Sequence, residues 1–397
     1  MDLTTVRGVE HARKVRLAID AMGGDHAPEE VVAGTLLYAA ERPDDELILV
    51  GDEDRVRALA GPSLPANVTL HPASQVIEMD EHPAMALREK RDASILVACD
   101  LVKRGQAEAV ITAGHTGAAM AAAVLRLGRV PGVDRPALAV QLITDSGPFV
   151  LLDIGANPDS TAENLYQYAH MGALFAERVL GVANPRVALL SIGEEKGKGD
   201  ARIQGASELL DGSGLNFTGN VEGKDLVHHP ADVVVCDAVL GNVTIKFFEG
   251  LSTFIFDLIR TEFRKPPRGP IAYALMKPGL DRIRTIFDYE KLGGSPLLGV
   301  KGTVIITHGR AKRRMIGYAI GVAAAAAAAR IPERIAATLG SGEAGEAGEA
   351  REATQAGEAG EARESADGAA IADTDARQSV PPPTDGEHVA DAVEAGS

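Results

Sequence analysis

Leu17-Ala18-Ile19-Asp20-Ala21-Met22-Gly23-Gly24-Asp25-His26-Ala27-Pro28 holds the sharpest boundary in the chain. Its apolar half reads as a buried strand, which stops at two glycines, an acid, a histidine and a proline able to open a helix. Paired glycines let backbone N–H groups approach an anion, and the helix that follows points its positive end at the same place. A tight strand-to-helix turn accounts for the same residues. The stretch alone leaves a phosphate cradle and a plain connection equally open.

Similar apolar runs recur at Val15 to Asp20, Leu47 to Val50, Ala109 to Thr112, Ala137 to Leu142, Phe149 to Asp153, Val187 to Ser191, Asp232 to Cys236 and Thr303 to Thr307. Most are continuous rather than alternating, as expected of parallel strands covered on both faces. Helical periodicity fills the intervals, notably Pro83 to Lys103, Thr116 to Leu127, Ala162 to Leu180 and Ala201 to Leu210. The pattern predicts a doubly wound α/β fold with a mostly parallel sheet. Ligands in such sheets bind at the carboxyl ends of strands, so the strand-ending loops are expected to meet in one crevice.

Charge divides the chain in two. Residues 341–397 carry 14 acidic residues against three arginines, which is −11 of the total −16 and leaves −5 for residues 1–340. This acidic stretch, with Gly-Glu-Ala repeats and Pro381-Pro382-Pro383, holds too few large apolar residues to offset its ordering entropy, so a disordered tail is expected. Residues 1–340 form the expected folded domain. A mildly acidic domain with 4% aromatic residues and no Trp is poorly equipped for nucleic acid. Cys99 and Cys236 read as reduced thiols rather than a disulfide or a zinc site. No signal-type apolar core or uninterrupted run of transmembrane length is evident, so a cytoplasmic protein is expected.

Each strand end carries polar groups near glycine: Ala113-Gly114-His115-Thr116-Gly117, Asp153-Ile154-Gly155-Ala156-Asn157-Pro158, Gly193 to Asp200, Cys236 to Asn242 and His308-Gly309. Single loops of this kind are ordinary turns. Their concentration at strand ends points instead to a shared site for an anion. Lys196 and Lys198, set among glycines, could present an ammonium to a phosphate or a carbonyl oxygen. The chain lacks a Walker-type phosphate loop, a His-Glu-x-x-His helix, a Gly-x-Ser-x-Gly elbow and a Gly-x-Gly-x-x-Gly turn. Phosphate handling without a nucleotide is therefore the more economical reading.

Together these loops, with Met79 to Arg88, Ala231 to Lys246 and Gly293-Gly294-Ser295-Pro296-Leu297-Leu298-Gly299, resemble the PlsX family, the phosphate acyltransferases of bacterial phospholipid synthesis. The resemblance runs in order from about residue 14 to residue 330. It implies transfer of a long-chain acyl group from acyl carrier protein to inorganic phosphate, with no metal or organic cofactor. It also implies an isocitrate-dehydrogenase-like fold, a homodimer, peripheral attachment to an anionic membrane surface and a glycerol-3-phosphate acyltransferase partner. His115 stands where the family usually has Asn, Ala238-Val239 replace a Gly-Phe pair, and Arg310-Ala311-Lys312 replace small polar residues.

Attack of phosphate on a thioester expels a thiolate of pKa about 8.5, so positioning and oxyanion stabilisation should dominate and no covalent enzyme intermediate is needed. Gly23, Gly24 and His26 are expected to cradle phosphate, and Lys198 to neutralise it or the developing oxyanion. Thr116, Asn157 and Asn242 are expected to add hydrogen bonds, Asp237 to orient Lys198 or Lys246, and Asp20 to fix the first loop.

An apolar stretch from Phe247 through Ile259, basic Arg264, Lys265 and Arg268, and Ile271 to Met276 predict a projecting helix pair over about 241–288. Such a pair suits a dimer core, or a membrane tip carrying Ile271, Leu275 and Met276. Two other readings stay open: a short-chain phosphate acetyltransferase acting on coenzyme A thioesters, and a non-catalytic membrane-associated scaffold.

Overall fold

The structure, a computed structural model, describes residues 13–340 apart from 62, 145, 266, 267, 287 and 288. The expected acidic tail lies outside the described residues, as does the expected end of the helix pair at 287 and 288.

Strands and helices alternate through the first part of the chain: β1 (Arg16–Asp20), α1 (Glu29–Glu41), β2 (Glu46–Gly51), α2 (Glu53–Ala60), β3 (Val68–Pro72), α3 (Pro83–Glu89), α4 (Ser94–Lys103), β4 (Ala109–Thr112) and α5 (Thr116–Arg126). A hairpin of β5 (Ala137–Thr144) and β6 (Gly147–Leu152) follows. The middle part comprises α6 (Ala162–Arg178), β7 (Arg186–Leu190), α7 (Ala201–Asp211), β8 (Asn216–Val221) and β9 (Val233–Val235). The long helices α8 (Ala238–Phe263) and α9 (Arg268–Ile286) come next, then β10 (Ser295–Leu298), β11 (Thr303–Ile306), α10 (Arg313–Ala328) and α11 (Ile331–Leu339).

All eleven strands form one sheet in the order β3-β2-β1-β4-β11-β10-β5-β6-β9-β7-β8. Seven of its ten pairings are parallel, so the expected mostly parallel α/β sheet is present. Successive strand residues face opposite ways. Leu17 and Ile19 of β1 pack in a core with α1, α6 and α10, while Ala18 packs in another with α3, α4 and α5.

The expectation of a single crevice fails for a topological reason. The antiparallel pairings β11–β10, β10–β5 and β5–β6 reverse the chain direction an odd number of times. Strands β6, β9, β7 and β8 therefore run opposite to β1, β4 and β11. The carboxyl ends of β1, β4 and β11 form a first rim of the sheet. Those of β6, β7 and β9 form a second rim on the far side, where Asp153 accepts a hydrogen bond from Leu138 N–H at the amino end of β5.

Helix α8 joins the two. Its first residues lie in the sheet layer, with Ala238, Gly241 and Ile245 buried, and the remainder is largely exposed. From Ala238 to Glu249 it climbs about 16 Å at the usual helical rise, enough to cross from the second rim to the first. Its last half then extends past the first rim and packs on α9, with Phe263 and Tyr273 edge to face at 5.8 Å. Ile271, Leu275 and Met276 of α9 are 66%, 78% and 53% exposed, so nothing among the described residues covers the expected tip. Helix α8 is long and apolar enough by composition to cross a membrane, although its first turns are built into the sheet. Helices α10 and α11 pass the same test only as a bent pair, and Met315 to Ala327 are buried in the core.

Candidate active site

At the first rim the loop after β1 folds against the loop after β4. Asp20 is buried; it accepts from Thr112 Oγ1 at 2.7 Å and from Met22 N–H at 3.2 Å. Burial pushes its carboxyl above the usual range, and hydrogen bonds from Ser94, Thr112 and the Met22 and Gly23 amides oppose the rise. Asp20 therefore lies beneath the loop and is hydrogen-bonded to it and to β4. A Cβ on Gly23 would lie 2.6 Å from Asp20 Oδ2 and 2.8 Å from Gly114 N, so only glycine fits. Gly24 has φ +117°, and Asp25 N–H then donates to Gly309 O at 2.8 Å, drawing in the loop after β11. A small cavity beneath is lined by Asp20, Gly23, Ser94, Thr112, Gly114 and His115.

Thr116 opens α5 and is exposed, as is His26, whose ring makes no hydrogen bond among the described residues. His115 caps α5: its Nδ1 accepts from the N–H groups of Gly117 at 3.0 Å and Ala118 at 3.4 Å. A ring nitrogen thus does the work of a side-chain oxygen at the helix start. Helices α1, α5 and α10 all begin at this rim, following the adjacent strands β1, β4 and β11.

The second rim is organised by Asp153. Its Oδ1 accepts from the N–H groups of Leu138, Gly155 and Ala156 at 3.0–3.1 Å. Its Oδ2 accepts from Asn157 N–H at 2.8 Å and from Asn157 Nδ2 at 2.9 Å. Asn157 Nδ2 also donates to Pro136 O at 2.6 Å, so the amide donors proposed for phosphate are already engaged within the chain. Asp237 caps α8, accepting from Val239 and Leu240 N–H at 2.9 and 3.1 Å. A Cβ on Gly241 would lie 1.9 Å from Asp153 O, so glycine lets α8 seat directly on this loop. Asn242 follows, exposed on the same turn.

Asp237 orients neither lysine. Its Oδ2 stands 3.6 Å from Arg202 Nη2, and Arg202 also holds Asp200, the cap of α7, at 2.6 Å. Lys246 lies nine residues further along α8, about 13 Å away by helical rise, and pairs with Glu249 at 3.1 Å. Lys198 is exposed, and its ammonium has no partner among the described residues. Lys196 is bound to Asp211 at 2.5 Å. Cys236 is buried, donates to Asp153 O at 3.4 Å and has its thiol pKa pushed well up by burial, which fits a packed side chain.

The structure thus brings Asp20, Gly23, Gly24, His26 and Thr116 together at the first rim. It places Asn157, Lys198, Asp237 and Asn242 at the second. Lys246 lies near the first rim, because Glu249 beside it reaches His308 in the loop after β11, with 3.5 Å between Oε1 and Nε2. Arg202, Glu249 and Ser94 were given no role in the sequence reading. An arginine two residues after a capping Asp was the available signal for Arg202; nothing local marked Glu249. Among the described residues no group of three His, Cys, Asp or Glu is arranged to hold a metal ion.

The fold is shared with solved phosphotransacetylases. One from Streptococcus pyogenes aligns with a TM-score of 0.54 at 17% identity, covering 80% of this chain and 94% of that one. Another from Staphylococcus aureus aligns at 0.50 and 17%, covering 79% and 94%. At that identity the likeness is one of fold.

Sequence narrows the class. Residues 15–334 match the family described as fatty acid synthesis protein. A phosphate acyltransferase from Desulfitobacterium hafniense (strain DSM 10664 / DCB-2) is 49% identical over 311 residues, covering 78% of this chain and 93% of that protein. One from Nostoc punctiforme (strain ATCC 29133 / PCC 73102) is 45% identical over 326 residues, covering 81% and 96%. The chain belongs to this family, the PlsX phosphate acyltransferases.

Proposed function

We propose that this acyltransferase moves a long-chain fatty acyl group from acyl carrier protein to inorganic phosphate, giving acyl phosphate for phospholipid synthesis, with phosphate held at the first rim. One observation carries the placement. The chain leaves β1 through α1 on one face of the sheet and β4 through α5 on the other, so the crevice between these adjacent strands is a topological switch point. There the Gly23 and Gly114 loops meet under three helix N-termini, a setting that favours an anion.

In this reading Gly23, Gly24 and His26 contact phosphate, Thr116 adds a hydroxyl, and Asp20 holds the loop. The long-chain preference is supported by the exposed apolar side chains of α8 just past the rim, with Phe247 and Phe254 69% and 64% exposed. Attachment to an anionic membrane surface through Ile271, Leu275 and Met276, and supply of acyl phosphate to a glycerol-3-phosphate acyltransferase, belong to the same proposal. So does a cytoplasmic, peripheral location. The homodimer acquires a purpose: one copy's second rim, with Lys198, Asp237 and Asn242 on a loop that Asn157 braces, can serve another copy's first rim, since one sheet holds them apart.

The test is a thioester-consumption assay with and without phosphate, using long-chain acyl carrier protein and acetyl coenzyme A as donors. Phosphate-dependent turnover of the carrier-protein substrate supports the proposal. Preference for acetyl coenzyme A would favour the short-chain reading, and no turnover would favour the scaffold.

A further inference from the structure

We propose that His308 is the base that takes the proton from the attacking phosphate, with Glu249 of α8 as the residue that orients its ring. This rests on phosphate binding at the first rim. His308 is held between the two loops that form the rim: Thr307 N–H donates to Thr112 O at 2.8 Å, and Gly309 O accepts from Asp25 N–H at 2.8 Å. Thr307 Oγ1 also donates to Gly293 O at 2.6 Å, which ties the strand end to the return from α9. Backbone contacts on both sides thus anchor His308 at the rim, with one edge of its ring toward Glu249 of α8.

The ring has one oriented and one available nitrogen. Nε2 faces Glu249 Oε1 at 3.5 Å, while Nδ1 has no hydrogen-bond partner among the described residues. The carboxylate on that side favours the tautomer with the proton on Nε2, which leaves the Nδ1 lone pair to act as base. The other oxygen of Glu249 is held by Lys246 Nζ at 3.1 Å, so the carboxylate is itself positioned. The charged groups facing the ring are Glu249 and Lys246 from α8, Arg310 from its own loop, and Asp25, whose carboxylate lies against Gly309. Burial, then the Lys246 and Arg310 charges, hold the imidazole below its ordinary pKa against the pull of Glu249, so it is neutral at pH 7.

The reaction balances with this one group. Hydrogen phosphate attacks the thioester carbonyl, the P–O–C bond forms, and the C–S bond breaks with its electron pair leaving on sulfur. The phosphate proton passes to Nδ1, and the imidazolium, stabilised by Glu249, then gives it to the thiolate. Products are acyl phosphate and the free thiol, with the imidazole restored to its neutral state. The second transfer is downhill, because a thiol near pKa 8.5 is a weaker acid than imidazolium.

His308→Ala and the closer isostere His308→Asn, both checked for unchanged melting, are expected to lower kcat by about 10²–10⁴-fold. The phosphate KM should stay within about threefold. The acidic limb of the kcat–pH profile should vanish, and added imidazole should restore part of the rate to His308→Ala. Glu249→Gln removes the charge that raises the ring's pKa, so its acidic limb should move to lower pH with a smaller loss of about tenfold. An acidic limb retained in His308→Asn, or a rate loss without imidazole rescue or change in profile, would overturn the base assignment. Gly23→Ala, measured alongside, separates the two claims: an unaltered phosphate KM there would remove phosphate from this rim and the base assignment with it.

Discussion

Gly23 and Gly114 approach so closely that a single methyl group at position 23 would sit 2.8 Å from the Gly114 nitrogen. The loops after β1 and β4 are locked together by this contact and by the Asp20–Thr112 hydrogen bond at 2.7 Å. Gly23→Ala must push the loops apart, a rearrangement of the kind that costs about 1–3 kcal/mol. The expected result is a phosphate KM raised at least about tenfold in a protein that still unfolds cooperatively. Steady-state kinetics against phosphate, with calorimetry on the same sample, checks both parts.

Gly241 makes the corresponding contact at the other rim, where a Cβ would meet Asp153 O at 1.9 Å. Gly241→Ala should therefore unseat the start of α8 and destabilise by about 1–3 kcal/mol. Gly250, on the same helix, has nothing within 4 Å of an added Cβ. Gly250→Ala should stabilise by about 0.5–1 kcal/mol through helix propensity. Opposite shifts in urea midpoint between the two variants are expected; shifts of the same sign would contradict the described seating of α8.

Glu30 in the first turn of α1 accepts from Arg313 at the start of α10 through backbone N–H, Nε and Nη2 at 2.7, 3.0 and 2.6 Å. These hydrogen bonds lower its carboxyl pKa from 4.5 to about 2. A folded-state pKa below the unfolded one means stability that is complete above about pH 5 and is lost as pH falls toward 2. Arg313 is exposed and Glu30 half-buried, so solvent screens the pair and Glu30→Gln should cost only about 1 kcal/mol at pH 7. The gap to the parent protein should hold from pH 7 to about pH 5 and narrow from there down to pH 3 in urea titrations. A constant gap would show that the carboxylate charge is not what binds α1 to α10.

Much of the sheet was legible because its inner strands are uninterrupted apolar runs. Ala109–Thr112 and the run beginning at Thr303 emerge within a residue of their observed limits. The strands that escaped notice have physical reasons to do so. β3 ends at the sheet edge with the mixed sequence Val-Thr-Leu-His-Pro, β8 lies at the other edge with Asn216, Gly219 and Asn220, and β10 is four residues containing Pro296. Strand direction was the deeper loss. The short interval between Leu142 and Phe149 leaves no room for a parallel crossover and signals a hairpin. Reading most of the apolar runs as parallel, with no reversal placed among them, hid the separation of Lys198 from Gly23. Pairings such as Glu249 with His308 and Arg202 with Asp237 join residues far apart in the chain, and no local pattern encodes them.

Two rims in one chain, with the homodimer proposed above, make a quantitative prediction. If Lys198 of one copy serves the first rim of the other, Lys198→Ala and Gly23→Ala, assayed at phosphate far below the raised KM of the latter, should each be nearly inactive alone yet complement when mixed. Half of randomly assorted dimers would be heterodimers with one intact site of two, giving about a quarter of the parent activity. Co-refolded mixtures at equal ratio provide the measurement. Activity no greater than that of the separate variants would confine each site to a single chain.

The most direct measurement is phosphorus NMR of the purified protein incubated with long-chain acyl carrier protein and inorganic phosphate. An acyl phosphate resonance should grow in step with release of free thiol, and its rate should collapse in Gly23→Ala. Thiol release without acyl phosphate, or acyl phosphate formed equally well by Gly23→Ala, would contradict phosphate attack at the rim built from Gly23 and Gly114.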